Sequence, residues 1–232
     1  MIRGIDISHW NGEIDFDRVK ASGIDFVIIK AGGSDYGFYT DKMFKTNYEK
    51  AKAAGLNVGA YYFVGKKFLG AANGISDAVR FCEIIKGMQF EYPIFLDIET
   101  TPATCKDQAT EAAKAFCETM EHAGYFVGIY ASDISGFKER LNRDDLKAYA
   151  WWVARYSTEE PTYARTWQMW QYSSKGMCPG ISGSVDLDRS KTDYSIIMKE
   201  KGLNGFTKKI AKASESDPET PKKTRKKKEA KA

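Results

Sequence analysis

Two carboxylates one residue apart, Asp97 and Glu99, close the apolar run PIFLDIET at residues 93–100. Two other stretches share the pattern. Asp6 follows apolar residues in RGIDIS, and Asp186 and Asp188 end GSVDLD. Side chains alternate along a strand, so Asp97 and Glu99 share one face with Cα atoms roughly 6.6 Å apart, as do Asp186 and Asp188. Burying acids is costly unless a site needs them. Crowded acids raise one another's pKa, and a carboxyl that stays protonated near neutral pH can act as a general acid. A lone acid at a strand end more simply caps the next helix. Asp188 suits that role best, because DRSKTDYS starts there and can open a last helix. Three strands that each deliver acids to one place are harder to explain by capping.

Aromatic residues occupy the same runs: Tyr61, Tyr62, Tyr130, Trp151, Trp152, Trp170 and Tyr172, with Gln171 between the last two. Flat aromatic faces beside carboxylates suit sugar rings, which present apolar C–H faces and hydroxyl edges. Alternation sends about half of these side chains into the core, and a glycan cleft needs only two or three. Rival chemistries have little to work with. Cys82, Cys105, Cys117 and Cys178 show no CxxC pairing, and they read as reduced thiols acting as small hydrophobes. Two histidines, His9 and His122, without an HxxxH, argue against a zinc hydrolase. A Cys/His peptidase needs a thiol beside one of them, and neither setting favours it. No metal and no cofactor is expected.

The elements that must position these residues are legible from periodicity. KASGIDFVIIKAGG (20–33), KAAGLNVGAYYFVG (52–65) and EHAGYFVGIYASDI (121–134) each end a helix at Gly and begin a strand about three residues later. Helices are predicted over 42–54, capped by Thr40 or Asp41, over 77–87, capped by Ser76, and over 108–123, with Ala112, Phe116 and Met120 on one face. Strands are predicted at 2–8, 25–31, 57–64, 92–99, 125–131, 150–156, 167–173 and 184–188. Their near-continuous hydrophobicity suits parallel strands covered on both faces. Eight strands in about 200 residues predict an α/β fold, an irregular (β/α) TIM-like barrel with its late helices shortened or missing. A doubly wound open sheet is the competitor. In a barrel the acid-bearing strand ends meet at one rim, where such barrels keep their active sites.

The folded domain is expected over 1–203 and a disordered Lys-rich tail over 204–232. The segment from Phe206 to Ala232 holds ten Lys/Arg against four Asp/Glu, a local charge of +6, while the other 205 residues carry 25 basic and 27 acidic side chains. The tail is either a solubilising linker or an electrostatic contact for a polyanion such as an anionic wall polymer. With no basic face on the barrel, specific nucleic-acid binding is not expected. No apolar run approaches the ~20 residues of a transmembrane helix. The N-terminus, MIRGIDISHW, reads as a first strand and not as a signal peptide.

Taken in order, GIDISHWNGEIDFDRVKASGIDFVIIKAGGSDYGFYTDKMFKTNYEKAKAAGLNVGAYYF, PIFLDIE, VGIYAS, WWVARY and WQYSSKGMCPGISGSVDLD resemble the catalytic domain of glycoside hydrolase family 25 lysozymes over roughly residues 1 to 200. The family comprises phage endolysins and bacterial or fungal muramidases. The resemblance implies an irregular β/α barrel whose cleft is lined by four acids, here Asp6, Asp97, Glu99 and Asp186. It makes Glu99 the general acid. Asp97 would orient the substrate's acetamido group or support the developing cation, and Asp6 and Asp186 would set the proton affinity of Glu99. It implicates Tyr62, Tyr130 and Gln171 in saccharide contacts, beside the aromatics Tyr61 and Trp152. Many relatives carry His where Tyr62 stands. The implied reaction is hydrolysis of the β-1,4 bond between N-acetylmuramic acid and N-acetylglucosamine in bacterial peptidoglycan, by a monomer made in the cytoplasm that reaches the wall after release. A chitinase- or glucosaminidase-like glycosidase and a non-catalytic wall-glycan-binding barrel are the alternatives.

Overall fold

The structure is a computed structural model that describes residues 1–208; the rest of the basic tail lies outside the described residues. The β-branched and aromatic runs form nine strands: β1 (Ile2–Ile7), β2 (Phe26–Gly33), β3 (Tyr39–Thr40), β4 (Asn57–Val64), β5 (Ile94–Ile98), β6 (Val127–Ser132), β7 (Ala150–Ala154), β8 (Met169–Gly176) and β9 (Val185–Ser190). Five α-helices accompany them among the described residues: α1 (Phe16–Ala21), α2 (Phe44–Ala53), α3 (Ala71–Ile85), α4 (Lys106–His122) and α5 (Tyr194–Lys201). The sheet order is β1-β9-β8-β7-β6-β5-β4-β2, and β2 pairs back onto β1, so eight strands close a barrel while β3 adds a short hairpin to β2. The open-sheet alternative is thereby excluded. Helices cover the first half. Between β6 and β7 only a six-residue π-helical segment (Asp133–Lys138) and a 3-10 turn (Arg143–Leu146) stand in for a helix, and no helix lies between β7 and β9, so the late helices are shortened or missing as expected.

The barrel is mixed rather than wholly parallel. β9 runs antiparallel to both of its neighbours, β8 and β1. Asp186, expected near the end of its strand, therefore stands near the beginning of β9, and the reversed direction is what sets it opposite Asp6 at the end of β1.

Glycine ends α1, α2 and α4 as the repeated pattern predicts: Gly23, Gly55 and Gly124 adopt φ of 84°, 74° and 86°, where side chains are disfavoured. The start of α3 differs from expectation. It begins at Ala71 after a turn at Gly70 (φ 76°), which leaves Ser76 inside the helix instead of capping it. The helix starting at Phe44 likewise has no side-chain cap at its N-cap position, although Asp41 Oδ1 accepts the Met43 N–H at 2.9 Å. α4 buries Ala112, Phe116 and Met120 against α3. The two helices approach so closely that a Cβ on Gly74 would lie 2.1 Å from the Ala112 carbonyl oxygen.

Alternation divides the core in two. Phe26, Ile28, Phe95, Tyr130, Trp152 and Met169 fill the barrel, while Val27, Ile29, Tyr62, Leu96 and Ile129 pack outward under the helices. The floor is closed by Tyr92, Tyr194, Met198 and Asn204. Asn204 is buried at φ 53°. Its side chain accepts from the Phe126 N–H at 2.7 Å and donates to the Tyr92 carbonyl at 2.9 Å. The folded body thus runs past the boundary expected at Leu203, because Asn204 satisfies backbone groups at the starts of the fifth and sixth strands. Among the described residues no helix is long and apolar enough to cross a membrane.

Candidate active site

β5 carries Asp97 to the upper end of the barrel interior, where the residue is 4 % exposed, and Glu99 follows one position past the strand as an exposed side chain. The two carboxyls share a hydrogen bond. Burial, followed by the charge of Glu99, pushes Asp97 well above the usual carboxylate range, with Lys30 acting against it. Glu99 is raised as well: although the residue as a whole is exposed, its carboxyl is partly withdrawn from water, and this outweighs the hydrogen bond from Asp97 and the charge of Lys30. Their protons belong to the pair, which retains one after an isolated carboxyl would have lost it.

A second acid group faces them from β1 and β9. Asp6 is buried and accepts from Gln171 Nε2 at 2.7 Å. Burial and then the charges of Asp188 and Asp186 raise it. Asp188, expected to cap the last helix, does not: Asp193 caps α5, and Asp188 points into the barrel, fully buried, accepting from Trp152 Nε1 at 2.7 Å. The alternation of β9 forces this, since Asp186 and Asp188 share the inward face. Burial raises Asp188 to about 8, and it shares a hydrogen bond with Asp6. Asp186, half-buried and raised by burial, is the more accessible of the β9 acids.

Gln171 binds these groups together. Its Oε1 accepts from Tyr130 at 2.8 Å and from Tyr156 at 3.1 Å, while its Nε2 holds Asp6. A hydrogen-bonded chain therefore runs from two tyrosines through one amide to a carboxyl pair and an indole. Buried and held by three hydrogen bonds, Gln171 positions Asp6 from behind. Tyr130 and Trp152, 4 % and 1 % exposed, pack ring to ring at 4.5 Å and form the floor beneath the acids, with Tyr61 edge-on to Trp152 at 6.1 Å. Tyr61 senses Asp6, Asp97 and Asp186 together, and burial leads the causes that raise its phenol.

Tyr62 is placed elsewhere. Adjacent tyrosines on a strand must face opposite ways, and Tyr62 points out of the barrel. It is fully buried against Phe81 and Phe116 and donates to Asp77 Oδ1 at 3.2 Å. The expected saccharide contact is not available to a side chain sealed beneath α3. Tyr62→Phe is expected to lower stability by about 1 kcal/mol through the lost bond to Asp77 and to leave substrate turnover within about twofold; thermal melts and initial rates check both.

Several further residues stand at this rim that strand periodicity does not point to. Lys30 is the cation that most lowers both Asp97 and Glu99, and it lies over the Phe63 ring at 4.5 Å. Trp10, Tyr36, Phe38 and Tyr156 are all exposed, and each sits on a loop that follows an upward-running strand. Trp10 packs on His9 at 4.4 Å, and His9 Nδ1 is held by the buried Asp41 at 2.6 Å. An exposed aromatic just past a strand's end is a signal that strand-centred reading does not weigh. No cluster of three or more metal-ligating side chains occurs among the described residues, and the four cysteines are free.

The chain as a whole has known relatives. The sequence profile of glycosyl hydrolases family 25 matches residues 5–181. An autolytic lysozyme of Clostridium acetobutylicum is 34% identical over 187 residues, covering 81% of this chain and 55% of that protein. Lysozyme M1 of Streptomyces globisporus is 34% identical over 204 residues, covering 81% of this chain and 67% of its own length. The crystal structure of the CTP1L endolysin superposes with a TM-score of 0.73 at 31% identity, covering 87% of this chain and 70% of that one. The chain thus spans little more than half the length of the Clostridium relative.

Proposed function

Because the chain belongs to glycosyl hydrolase family 25, we propose that it is a lysozyme that hydrolyses the β-1,4 bond between N-acetylmuramic acid and N-acetylglucosamine in bacterial peptidoglycan. One observation carries the reading: an exposed Glu99 hydrogen-bonded to a buried Asp97, on a rim shared with Asp6 and Asp186. Glu99 delivers a proton to the leaving glycosidic oxygen, and Asp97, beneath it, holds the proton reserve of the pair. As the bond stretches, positive charge grows on the sugar ring. Asp186 at the half-open edge and the Asp6–Asp188 pair below it present negative potential to that charge in a site partly closed to water. Trp10 and Tyr156 offer exposed faces for neighbouring sugars. The site of action is the bacterial cell wall.

Digesting purified peptidoglycan and reducing the new chain ends with borohydride tests the assignment. The expected product is muramitol at every new end. Glucosaminitol would make the enzyme a glucosaminidase, and new free amines without reducing ends would rule out a glycosidase.

A further inference from the structure

A second cavity, of about 790 Å³, adjoins the acid rim on its outer side. The loops after β2, β4 and β5 and the first two turns of α3 enclose it, and Thr100, the residue after Glu99, forms part of its wall. Its lining is not that of a sugar groove. Asp77 lies at the base, 5 % exposed, with only hydroxyl partners: Tyr62 at 3.2 Å and Ser34. Among the described residues it makes no salt bridge. Asp35 Oδ1, also in the wall, is buried without a hydrogen-bond partner among the described residues. At the lip stand Lys66 and Lys67, both exposed and neither in an ion pair among the described residues. Phe38, 54 % exposed, supplies an apolar side.

A pocket whose acids form no salt bridge among the described residues, with lysines free of ion pairs at its mouth, is complementary to a ligand that carries amines or amides together with carboxylates. A neutral glycan has no use for the lysines, and an inorganic anion would be repelled by Asp77 and Asp35. We infer that this cavity binds the acidic peptide stem attached to the muramyl residue whose glycosidic bond Glu99 attacks. The inference rests on the muramidase reading, since only that substrate brings such a peptide beside Glu99. Lys66 and Lys67 meet the stem's carboxylates, Asp77 and Asp35 accept from its N–H groups, and Phe38 covers its side chains. The pocket is then a specificity determinant: it favours peptide-bearing glycan over bare glycan without touching the reacting atoms.

The test compares kcat/KM on soluble glycan strands of one length, with peptides intact or removed by an amidase. Wild type is expected to favour the peptide-bearing strand about tenfold. Lys66→Ala/Lys67→Ala and Asp77→Asn are each expected to cut that preference below about threefold and leave the rate on bare strands unchanged. Should Asp77→Asn lower the melting temperature, the double lysine variant, on exposed positions, decides. Equal wild-type rates on the two strands, or variants that lose equally on both, would overturn the proposal. A second readout needs no turnover. Free stem peptide titrated into labelled protein is expected to shift the amide resonances of residues 34–38 and 66–77, and the absence of such shifts counts against the pocket. Peptide binding without any glycan cleavage would instead sink the muramidase reading alone.

Discussion

Glu99→Gln is expected to lower turnover of peptidoglycan by about 10³-fold while leaving the fold and the KM close to those of wild type. General acid catalysis contributes about 10²- to 10⁴-fold, and glutamine can still accept the hydrogen bond from Asp97 but has no proton to give. The side chain is exposed beyond the end of β5, so its replacement opens no cavity and the melting temperature should hold. Wild-type activity should also fall on the alkaline side, where the Asp97–Glu99 pair surrenders its retained proton, and the variant's residual activity should lack that limb. A pH profile of kcat/KM checks this. Unchanged activity in Glu99→Gln would move the acid role to another carboxyl on the rim.

The second large effect concerns stability. Asp188→Asn is expected to raise the melting temperature, with a gain that grows with pH. Asp188 is raised from 3.8 to about 8, chiefly by burial. A carboxyl with a raised folded pKa gives its full stability below the unfolded value and loses it as pH climbs through the folded one. Wild type should therefore weaken between about pH 4 and 8, and the variant should not share that part of the loss. Because Asp6 shares the proton, only part of that shift belongs to Asp188, and the gain above pH 8 should be about 2 kcal/mol, or roughly 5 °C in a domain of this size. Asparagine can still accept from Trp152 and can donate to Asp6, so packing is kept. The price is functional: with asparagine as a fixed donor to Asp6 the pair can no longer take up or release its shared proton, which should lower activity about tenfold, the trade expected where a site stores unfavourable burial. Melts at pH 5 and pH 9 together with initial rates would test both halves, and a variant no more stable at pH 9 than wild type would refute the buried-carboxyl account.

The strands and most of the acids could be read from sequence because a barrel strand is an unbroken apolar run and an acid interrupts it. Strand direction was less legible. Hydrophobic period is the same for parallel and antiparallel neighbours, so β9 passed for one more parallel strand. The clue lay in the connection: residues 177–184, between β8 and β9, number eight, and a parallel crossover needs a dozen or more. The phase of a Tyr-Tyr pair is ambiguous for a related reason. Both neighbours of Tyr61–Tyr62 are apolar, and only the register of β4 on β5, Tyr61 with Phe95 and Tyr62 with Leu96, tells inside from outside. The polar residues after Asp188 imitate a helix start, whereas Asp193 makes the actual cap. The Gln171 hub joins positions 165 residues apart, Asp6 and Gln171, and the carboxyl bond between Asp6 and Asp188 spans the whole barrel sequence. No local window contains such partners.

The reversal of β9 also governs where the polypeptide comes and goes. Ser190, at the end of β9, pairs with Ile2 at the start of β1, and α5 and Asn204 then pack beneath the starts of β5 and β6. Entry and exit of the chain therefore share the face opposite the carboxylates, separated from them by the height of the barrel, about 20 Å for a six-residue strand. One down-going strand here does the work of an up-going strand and a return helix. Polypeptide fused at either end would be tethered on the far side of the catalytic domain, leaving the approach to Glu99 open.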